Sequence, residues 1–403
     1  MEGRRNGIAF VVSVYVCIGI ISVTSSYKRT VLVPDNHKSF FLSGLENSQP
    51  FHDNKSAHNI ISKLKASRYT ANVTKVRKNI ITHVAFLKVH KTGSTTLQHL
   101  FYRFALRHKL NILLPERGNY LGKSLVIPLK PGEHYDILAC HSVYKKGWID
   151  GLLPTDSVKI GIIREPVERM ISAAYFFRDV YSIKYLKMIP RLNFIHNLVN
   201  FPEKYDVHFF SHTRNTMGRD FGFQSGIQRT NKSLIKKYLD YLNEQFSLVL
   251  IMEKINESLV MMKRLLNWSF IDILYFEMNS HKYLRTVLNA TETAKLRNTS
   301  FLDFEIYDYF SAVFEMKLKQ IGYDFYDEVT FYKTVLEQVR GFCLNKFKAE
   351  ETRFQIPKSK WDGTFQVKMS DCELMQTDWK LFFSKVRSKY LLSAEMPIPW
   401  KGK

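Results

Sequence analysis

The chain reads Phe86-Leu-Lys-Val-His-Lys-Thr-Gly-Ser-Thr-Thr96 at the junction of a predicted strand and a predicted helix. The apolar run Ile80–Leu87 is typical of a buried strand, and apolar residues recur after Thr96 at helical spacing. The first N–H groups of a helix and the helix dipole attract anions. The junction therefore predicts an oxyanion site, although an ordinary capped helix start has the same pattern.

The residues of this turn determine what kind of anion site it can be. A Walker A loop has its lysine after the last glycine, whereas here Lys91 precedes Gly93, so a nucleotide-hydrolase loop is excluded. Lys91 adds a full positive charge, Gly93 allows close approach of the backbone, and the neighbouring hydroxyls are hydrogen-bond donors. The candidate anion-binding residues of this segment are Lys88, Lys91, Thr92, Gly93, Ser94, Thr95 and Thr96.

A second junction between a predicted strand and helix supplies another candidate phosphate site. Arg164 follows the predicted strand Val158–Ile163, and Ser172 lies about two turns into the helix that comes next. Both side chains can reach one phosphate, with the guanidinium acting as a bidentate fork. A surface ion pair between Arg164 and Glu165 or Glu168 is the alternative interpretation.

The two junctions resemble the elements that bind 3′-phosphoadenosine 5′-phosphosulfate (PAPS) in sulfotransferases. Three segments resemble the galactose 3-O-sulfotransferase family more narrowly, namely Phe86–Thr95, Arg214–Gly222 and Leu259–Trp268. The resemblance extends from about Ile80 to about Gly322. It implies that PAPS is the sulfate donor and that the sulfuryl group is transferred to the 3-hydroxyl of a terminal galactose. The acceptor would be a galactosylceramide-like glycolipid or a glycoprotein glycan.

Sulfuryl transfer requires a base for the attacking hydroxyl, and histidine is the side chain that titrates near neutral pH. His141 directly follows the predicted strand Asp136–Cys140, whose carboxyl end should open onto the same cleft as Lys91 and Arg164. Related sulfotransferases have a catalytic histidine at an equivalent strand end. We predict that His141 is the general base, with His90 as the alternative. Lys91 would stabilise charge on the departing phosphate.

Two other functions account for part of the sequence. A sugar or lipid kinase with a P-loop-like turn would need a Walker loop and a magnesium-binding acid, and neither is evident. A catalytically silent glycan-binding protein would not need Lys91, Arg164, Ser172 and His141 together. No Cys or His cluster has the spacing of a metal site, so we expect no structural zinc and no metal requirement.

The net charge of +22 also suggests a nucleic-acid-binding protein. The basic residues, however, are spread along the chain, and no nucleic-acid-binding motif is present. We interpret the charge as attraction for the anionic donor and for membrane headgroups, and we expect no nucleic-acid partner.

Alternating strand and helix patterns predict an α/β fold with a parallel sheet flanked by helices and a P-loop-like phosphosulfate-binding turn. Ligands should lie at the carboxyl ends of the strands. The predicted strands are Ile80–Leu87, Asp136–Cys140, Val158–Ile163, Ser247–Met252 and Ile273–Phe276. The predicted helices are Thr95–His108, Pro166–Phe177, Lys232–Glu244, Glu257–Leu266 and Phe301–Gln320.

The N-terminal region predicts one transmembrane helix. Basic residues precede the uncharged run Gly7–Val23, which is typical of a signal-anchor, although a cleaved signal peptide is the alternative. We therefore predict a cytosolic tail (1–6), an anchor (7–23), a lumenal stem (24–79) and a catalytic domain (80–403), with 341–403 as a C-terminal cap. The expected location is the Golgi membrane, single-pass type II with a lumenal catalytic domain, and a homodimer is left open.

The glycosylation and cysteine patterns agree with a lumenal protein. Seven Asn-x-Ser/Thr sequons occur along the chain, which is more typical of a secretory glycoprotein than of a cytosolic enzyme. Cys343 and Cys372 flank a polar, lysine-rich stretch and could be joined in an oxidising compartment. Cys17 and Cys140 are expected to be free thiols.

Overall fold

The structure is a computed structural model that describes residues 79–121, 125–145, 147, 149–207, 210–277, 286–345, 352–391 and 398–399. The predicted cytosolic tail, membrane anchor and nearly all of the predicted stem lie outside the described residues, as does Cys17. Among the residues described, no helix is both long enough and apolar enough to cross a membrane.

A five-stranded parallel sheet forms the centre of the described fold. Its strands are β1 (Val84–Phe86), β2 (Ile112–Leu113), β4 (Ile137–Leu138), β5 (Val158–Ile163) and β6 (Leu248–Ile251). Nearly every residue of these strands is buried, as expected where helices cover both faces of a parallel sheet. The prediction of an α/β fold with a parallel sheet is thereby confirmed.

Helices connect and cover the strands. The longer ones are α1 (Ser94–His108), α2 (Pro166–Asp179), α7 (Lys232–Gln245), α8 (Ile255–Leu266), α10 (Ala290–Thr299), α11 (Phe301–Gln320), α12 (Asp324–Leu344), α13 (Met369–Gln376) and α14 (Trp379–Leu391). The shorter ones are α3 (Lys184–Lys187), α4 (Phe194–Asn200), α5 (Pro202–Tyr205), α6 (Thr216–Asp220) and α9 (Phe270–Ile273). Two small antiparallel pairs complete the described elements, β3 (Leu125–Val126) with β9 (Ile398–Pro399) and β7 (Arg353–Ile356) with β8 (Phe365–Lys368).

The order of the strands explains where a ligand can bind. The sheet order is β2-β4-β1-β5-β6, so the chain goes from β1 to the edge strand β2, returns to β4 beside β1, and then crosses to β5 on the other side of β1. At such a switch point the loops that leave neighbouring strands diverge and open a crevice at the carboxyl ends of the strands. Both sequence junctions described above lie at this edge.

Several predicted elements agree with the structure, and one is wrong. The strand Val158–Ile163 and the helix Phe301–Gln320 have the predicted bounds. The predicted strand Ile273–Phe276 does not form: Ile273 ends helix α9, and no strand is assigned to the three residues that follow. The side chains of Ser269 and Asp272 form a capping box that starts this helix. A short apolar run alone does not distinguish a strand from a buried helical turn.

The segment beyond Gly341 has more regular structure than its sequence pattern indicates. A disulfide joins Cys343 in α12 to Cys372 in α13, as the sequence suggested, and Cys140 is a buried free thiol. Helix α14 packs against α1 through aromatic contacts, in which the Phe382 ring lies 4.0 Å from that of His99. The C-terminal segment therefore lies next to the helix that starts at the predicted anion site.

Candidate active site

A cavity of about 910 Å³ opens at the carboxyl edge of the sheet. Most of the predicted site residues line it, namely His90, Lys91, Gly93, Ser94, Thr95, Thr96, His141, Arg164 and Ser172. Lys88 and Thr92 do not line the cavity and are buried behind the turn. The fold thus brings the two sequence junctions and both candidate histidines to one place.

The turn between β1 and α1 is held by its own side chains. Lys91 and Gly93 have positive φ angles of 62° and 73°, which bend the chain sharply before the helix starts. The hydroxyls of Thr92 and Ser94 donate hydrogen bonds to the carbonyl of Val89 at 3.0 and 2.5 Å. These two hydroxyls therefore shape the turn, which is a structural role beside the predicted contact with the anion.

The N-terminus of α1 is open toward the cavity. No side chain caps it, and no acidic residue lies in its first turn. A Cβ atom at Gly93 would lie 2.5 Å from the Sδ atom of Met252, so the turn passes close to the end of β6. The partial positive charge of the helix end therefore faces the same space as Lys91, as an anion site requires.

Two lysines lie on opposite sides of this turn. The Nζ atom of Lys91 lies 3.6 Å from the centre of the Phe176 ring at the cavity wall. Burial, and then the nearby charge of Arg164, lower the pKa of Lys91 to about 8. Lys88 donates from behind to the Oγ1 of Thr95 at 3.0 Å, and burial lowers its pKa to about 7. Thr95 accepts that bond and still has its own hydroxyl hydrogen to donate.

Arg164 and Ser172 line the cavity together, as predicted. One guanidinium nitrogen of Arg164 lies 3.4 Å from the carbonyl of Lys91, and the other lies 3.3 Å from a carboxylate oxygen of Glu168. The surface ion pair considered as the alternative is therefore also present. An ion pair with a half-exposed glutamate contributes little, so it does not prevent the guanidinium from binding a phosphate.

The two candidate histidines stack on each other. Their ring centres are 4.1 Å apart and their planes differ by 17°. The Nδ1 atom of His141 lies 3.0 Å from the carbonyl of Lys88, and because a carbonyl only accepts, Nδ1 is the protonated nitrogen. Burial, and then the charges of His90 and Lys88, hold the pKa of His141 well below its ordinary value. Its Nε2 therefore has a lone pair at neutral pH.

A buried aspartate orients His90. Asp220 of α6 accepts from the backbone N–H of His90 at 2.8 Å, and the same oxygen lies 2.7 Å from His90 Nδ1. The carboxylate is almost completely buried, whereas the imidazole is partly exposed to the cavity. This arrangement directs Nε2 away from the carboxylate and fixes the orientation of the ring, as the aspartate of a catalytic triad does.

A family model for galactose-3-O-sulfotransferase matches residues 23–369 of the chain. This chain belongs to the galactose-3-O-sulfotransferase family. Human galactosylceramide sulfotransferase is 28% identical over 283 residues, which cover 67% of this chain and 64% of the relative. Mouse galactose-3-O-sulfotransferase 3 is 30% identical over 254 residues, which cover 59% of this chain and 58% of the relative. The match thus spans less than two thirds of either relative.

Sequence reasoning missed several residues of this candidate site. Asp220 lies in the segment Arg214–Gly222, which was recognised for its family resemblance without a role for the aspartate. The aromatic and polar part of the wall was not predicted either, and it comprises Asn119, Tyr120, Tyr175, Phe176, Phe177, Tyr181 and Trp379. Trp379 comes from α14, and no sequence signal links that helix to the site.

Proposed function

We propose that this chain is a PAPS-dependent galactose 3-O-sulfotransferase. It would transfer the sulfuryl group of PAPS to the 3-hydroxyl of a terminal galactose on a glycolipid or a glycoprotein glycan. The main support is one observation: Lys91, Arg164, the open N-terminus of α1 and two histidine Nε2 atoms share a single cavity. Such a site suits a donor with two separate anionic groups and an acceptor with a hydroxyl group.

The residues present fit PAPS, which supplies an activated sulfuryl group attached to a phosphate leaving group. Lys91 and the first N–H groups of α1 would hold the phosphosulfate end, where negative charge develops during transfer. Arg164 and Ser172 would hold the 3′-phosphate. The cavity volume is within the usual range for cofactor sites. Lys88 would act indirectly, by positioning the hydroxyl of Thr95.

The environment of the histidines favours His90 as the general base, which reverses the order expected from the sequence. A proton taken up by His141 would be held weakly, because burial disfavours the charged ring. The Nδ1 of His90 is held by the carboxylate of Asp220, and its ring is partly exposed. In this proposal His90 accepts the proton of the galactose 3-hydroxyl, and neutral His141 orients the sugar by accepting a hydrogen bond through Nε2 from a neighbouring hydroxyl.

Family membership favours this activity over a sugar or lipid kinase and over a silent glycan-binding protein. We also propose that the enzyme is a type II protein of the Golgi membrane with a lumenal catalytic domain. The apolar run 7–23, the sequons and the Cys343–Cys372 disulfide support that location, since disulfides are typical of oxidising compartments. A homodimer stays a prediction.

The activity is tested with the full-length chain in detergent, sulfate-labelled PAPS and a set of acceptors. The set contains galactosylceramide, a galactose-terminated glycan, the same glycan methylated at the galactose 3-hydroxyl, and a glucoside. We expect the wild-type enzyme to transfer sulfate to an unmodified galactoside but not to the methylated compound. The Lys91→Ala variant should transfer sulfate to neither. Transfer of phosphate from labelled ATP, or binding of galactosides without transfer from PAPS, would overturn the proposal.

A further inference from the structure

A second cluster of chemically active side chains lies at the opposite, amino edge of the same sheet. His83 directly precedes β1, Asp136 directly precedes β4, and His134 lies two residues before Asp136. One ligand atom from each residue can be chosen so that the three atoms lie within 4.8 Å of one another. We propose that these three side chains form a zinc site, distinct from the catalytic cavity, that fastens the amino ends of the central strands.

The distances in the cluster match those between the ligands of a tetrahedral metal. The Nε2 atoms of His83 and His134 each lie 3.2 Å from the Oδ1 atom of Asp136. Zinc–nitrogen and zinc–oxygen bonds of about 2.0–2.1 Å place neighbouring tetrahedral ligands about 3.3 Å apart. The side chain of His134 is 60% exposed, so its ring can rotate to complete the third edge.

Neighbouring groups orient two of the three proposed ligands. The Nδ1 atom of His83 lies 2.9 Å from a carboxylate oxygen of Asp156, the arrangement found behind many zinc-binding histidines. The second carboxylate oxygen of Asp136 accepts from the backbone N–H of Asn111 at 2.7 Å. This bond leaves Oδ1 directed at the two imidazoles. Both ligands are thus held with the atoms that would bind metal facing each other.

The backbones of His83 and Asp136 are hydrogen-bonded to the starts of neighbouring strands. The carbonyl of His83 accepts from Val158 at the start of β5, and the carbonyl of Asp136 accepts from Val84 at the start of β1. Sites built on strands hold their ligands more closely than sites on loops. A metal bound here would connect β1 and β4 directly, and β5 through Asp156 and these backbone bonds.

Two imidazole nitrogens and one carboxylate oxygen favour zinc among the common metals. Magnesium and calcium prefer sites made only of oxygen ligands, whereas imidazole suits zinc and related transition metals. Three protein ligands leave a fourth position for water. The competing explanation is a hydrogen-bonded group in which His83 bridges Asp136 and Asp156, and that group would not need a metal.

The test measures zinc binding to the full-length protein after metal removal with a chelator. Zinc is then added back, and we expect one zinc ion per chain to stay bound through gel filtration. Added zinc should raise the melting temperature by a few degrees, and magnesium should give no comparable rise. Cobalt in place of zinc should give the strong visible absorption of a tetrahedral centre. Failure to retain zinc would overturn the proposal and support the hydrogen-bonded alternative.

Matched variants identify the residues that bind the ion. His134→Ala should weaken zinc binding by more than about 100-fold, and Asp156→Asn by about 10–100-fold. His196→Ala is the control, because His196 also pairs with a carboxylate, that of Glu292 at 2.8 Å, but lies outside the cluster. Zinc bound equally well by His134→Ala would belong to another site and would overturn the assignment.

Discussion

The two ends of the central strands have opposite chemistry. At the carboxyl edge, Lys91 and Arg164 line a cavity beside the open end of α1. At the amino edge, β1 and β4 begin next to two imidazoles and the carboxylate of Asp136. One edge is arranged for an anion and the other for a cation. We therefore propose that the two edges of the sheet act independently of each other.

The edges also differ in how their side chains are held. The carboxyl edge uses a turn with positive φ angles, a helix N-terminus and partners from distant helices. At the amino edge, His83 and Asp136 directly precede strands, so hydrogen bonds to the neighbouring strands help determine their backbone positions. We therefore expect substitutions at the carboxyl edge to change catalysis and donor binding, and substitutions at the amino edge to change metal binding.

The largest expected effect concerns the stacked histidines. His90→Ala should lower turnover by about 10²–10⁴-fold with donor affinity nearly intact, because a general base contributes about that much. His141→Ala should lower turnover by a smaller factor, because the proposed role of His141 is to orient the sugar. Turnover is measured at saturating donor and galactoside, and donor affinity by calorimetry. A larger loss in His141→Ala would restore His141 as the base, as the sequence predicted.

Two further variants sharpen this result. Asp220→Asn retains an oxygen that can accept from His90, but an amide can also donate and so does not fix the imidazole tautomer. It should therefore lower turnover while leaving donor affinity nearly intact. His134→Ala, at the amino edge, should retain wild-type turnover. Loss of turnover in His134→Ala would break the proposed independence of the two edges.

A smaller effect is expected for the 3′-phosphate site. Arg164→Ala should weaken binding of both PAPS and its desulfated product, since both contain this phosphate. Removal of a charge-assisted contact costs on the order of 2–3 kcal/mol, which corresponds to about 30–150-fold in affinity. Glu168→Gln is the matched control: it removes only the exposed ion-pair partner and should leave affinity equal or slightly higher. Unchanged product affinity in Arg164→Ala would exclude Arg164 from the donor site.

The smallest expected effect is a pH dependence of donor binding. Lys91 binds an anion in its protonated form, and its pKa is lowered to about 8. Product affinity should therefore be constant below that pH and fall by up to about tenfold per unit above it. Lys91→Arg stays charged over this range and should remove the decline. A decline that persists in Lys91→Arg would assign the titration to another group, with Lys88 the first to test.

Local patterns were sufficient for much of the fold and part of the site. The strand Val158–Ile163 and the helix Phe301–Gln320 were predicted with the bounds they have, because their apolar spacing and neighbours agree. The predicted strand Ile273–Phe276 was wrong because a capping box starts a short helix at Ser269. Lys91 and Arg164 were found because each follows a recognisable buried strand within a few residues.

By itself, the sequence determined the parallel α/β fold, the turn proposed to bind an anion and the family resemblance, since these depend on residues close together in the chain. Only the tertiary structure brought Asp220 to His90, 130 positions away, and Trp379 to the cavity wall. It likewise brought His83 to Asp136. Hydrophobic spacing determines which segments form strands and helices. The distant partners meet only once packing and strand order have placed those segments side by side.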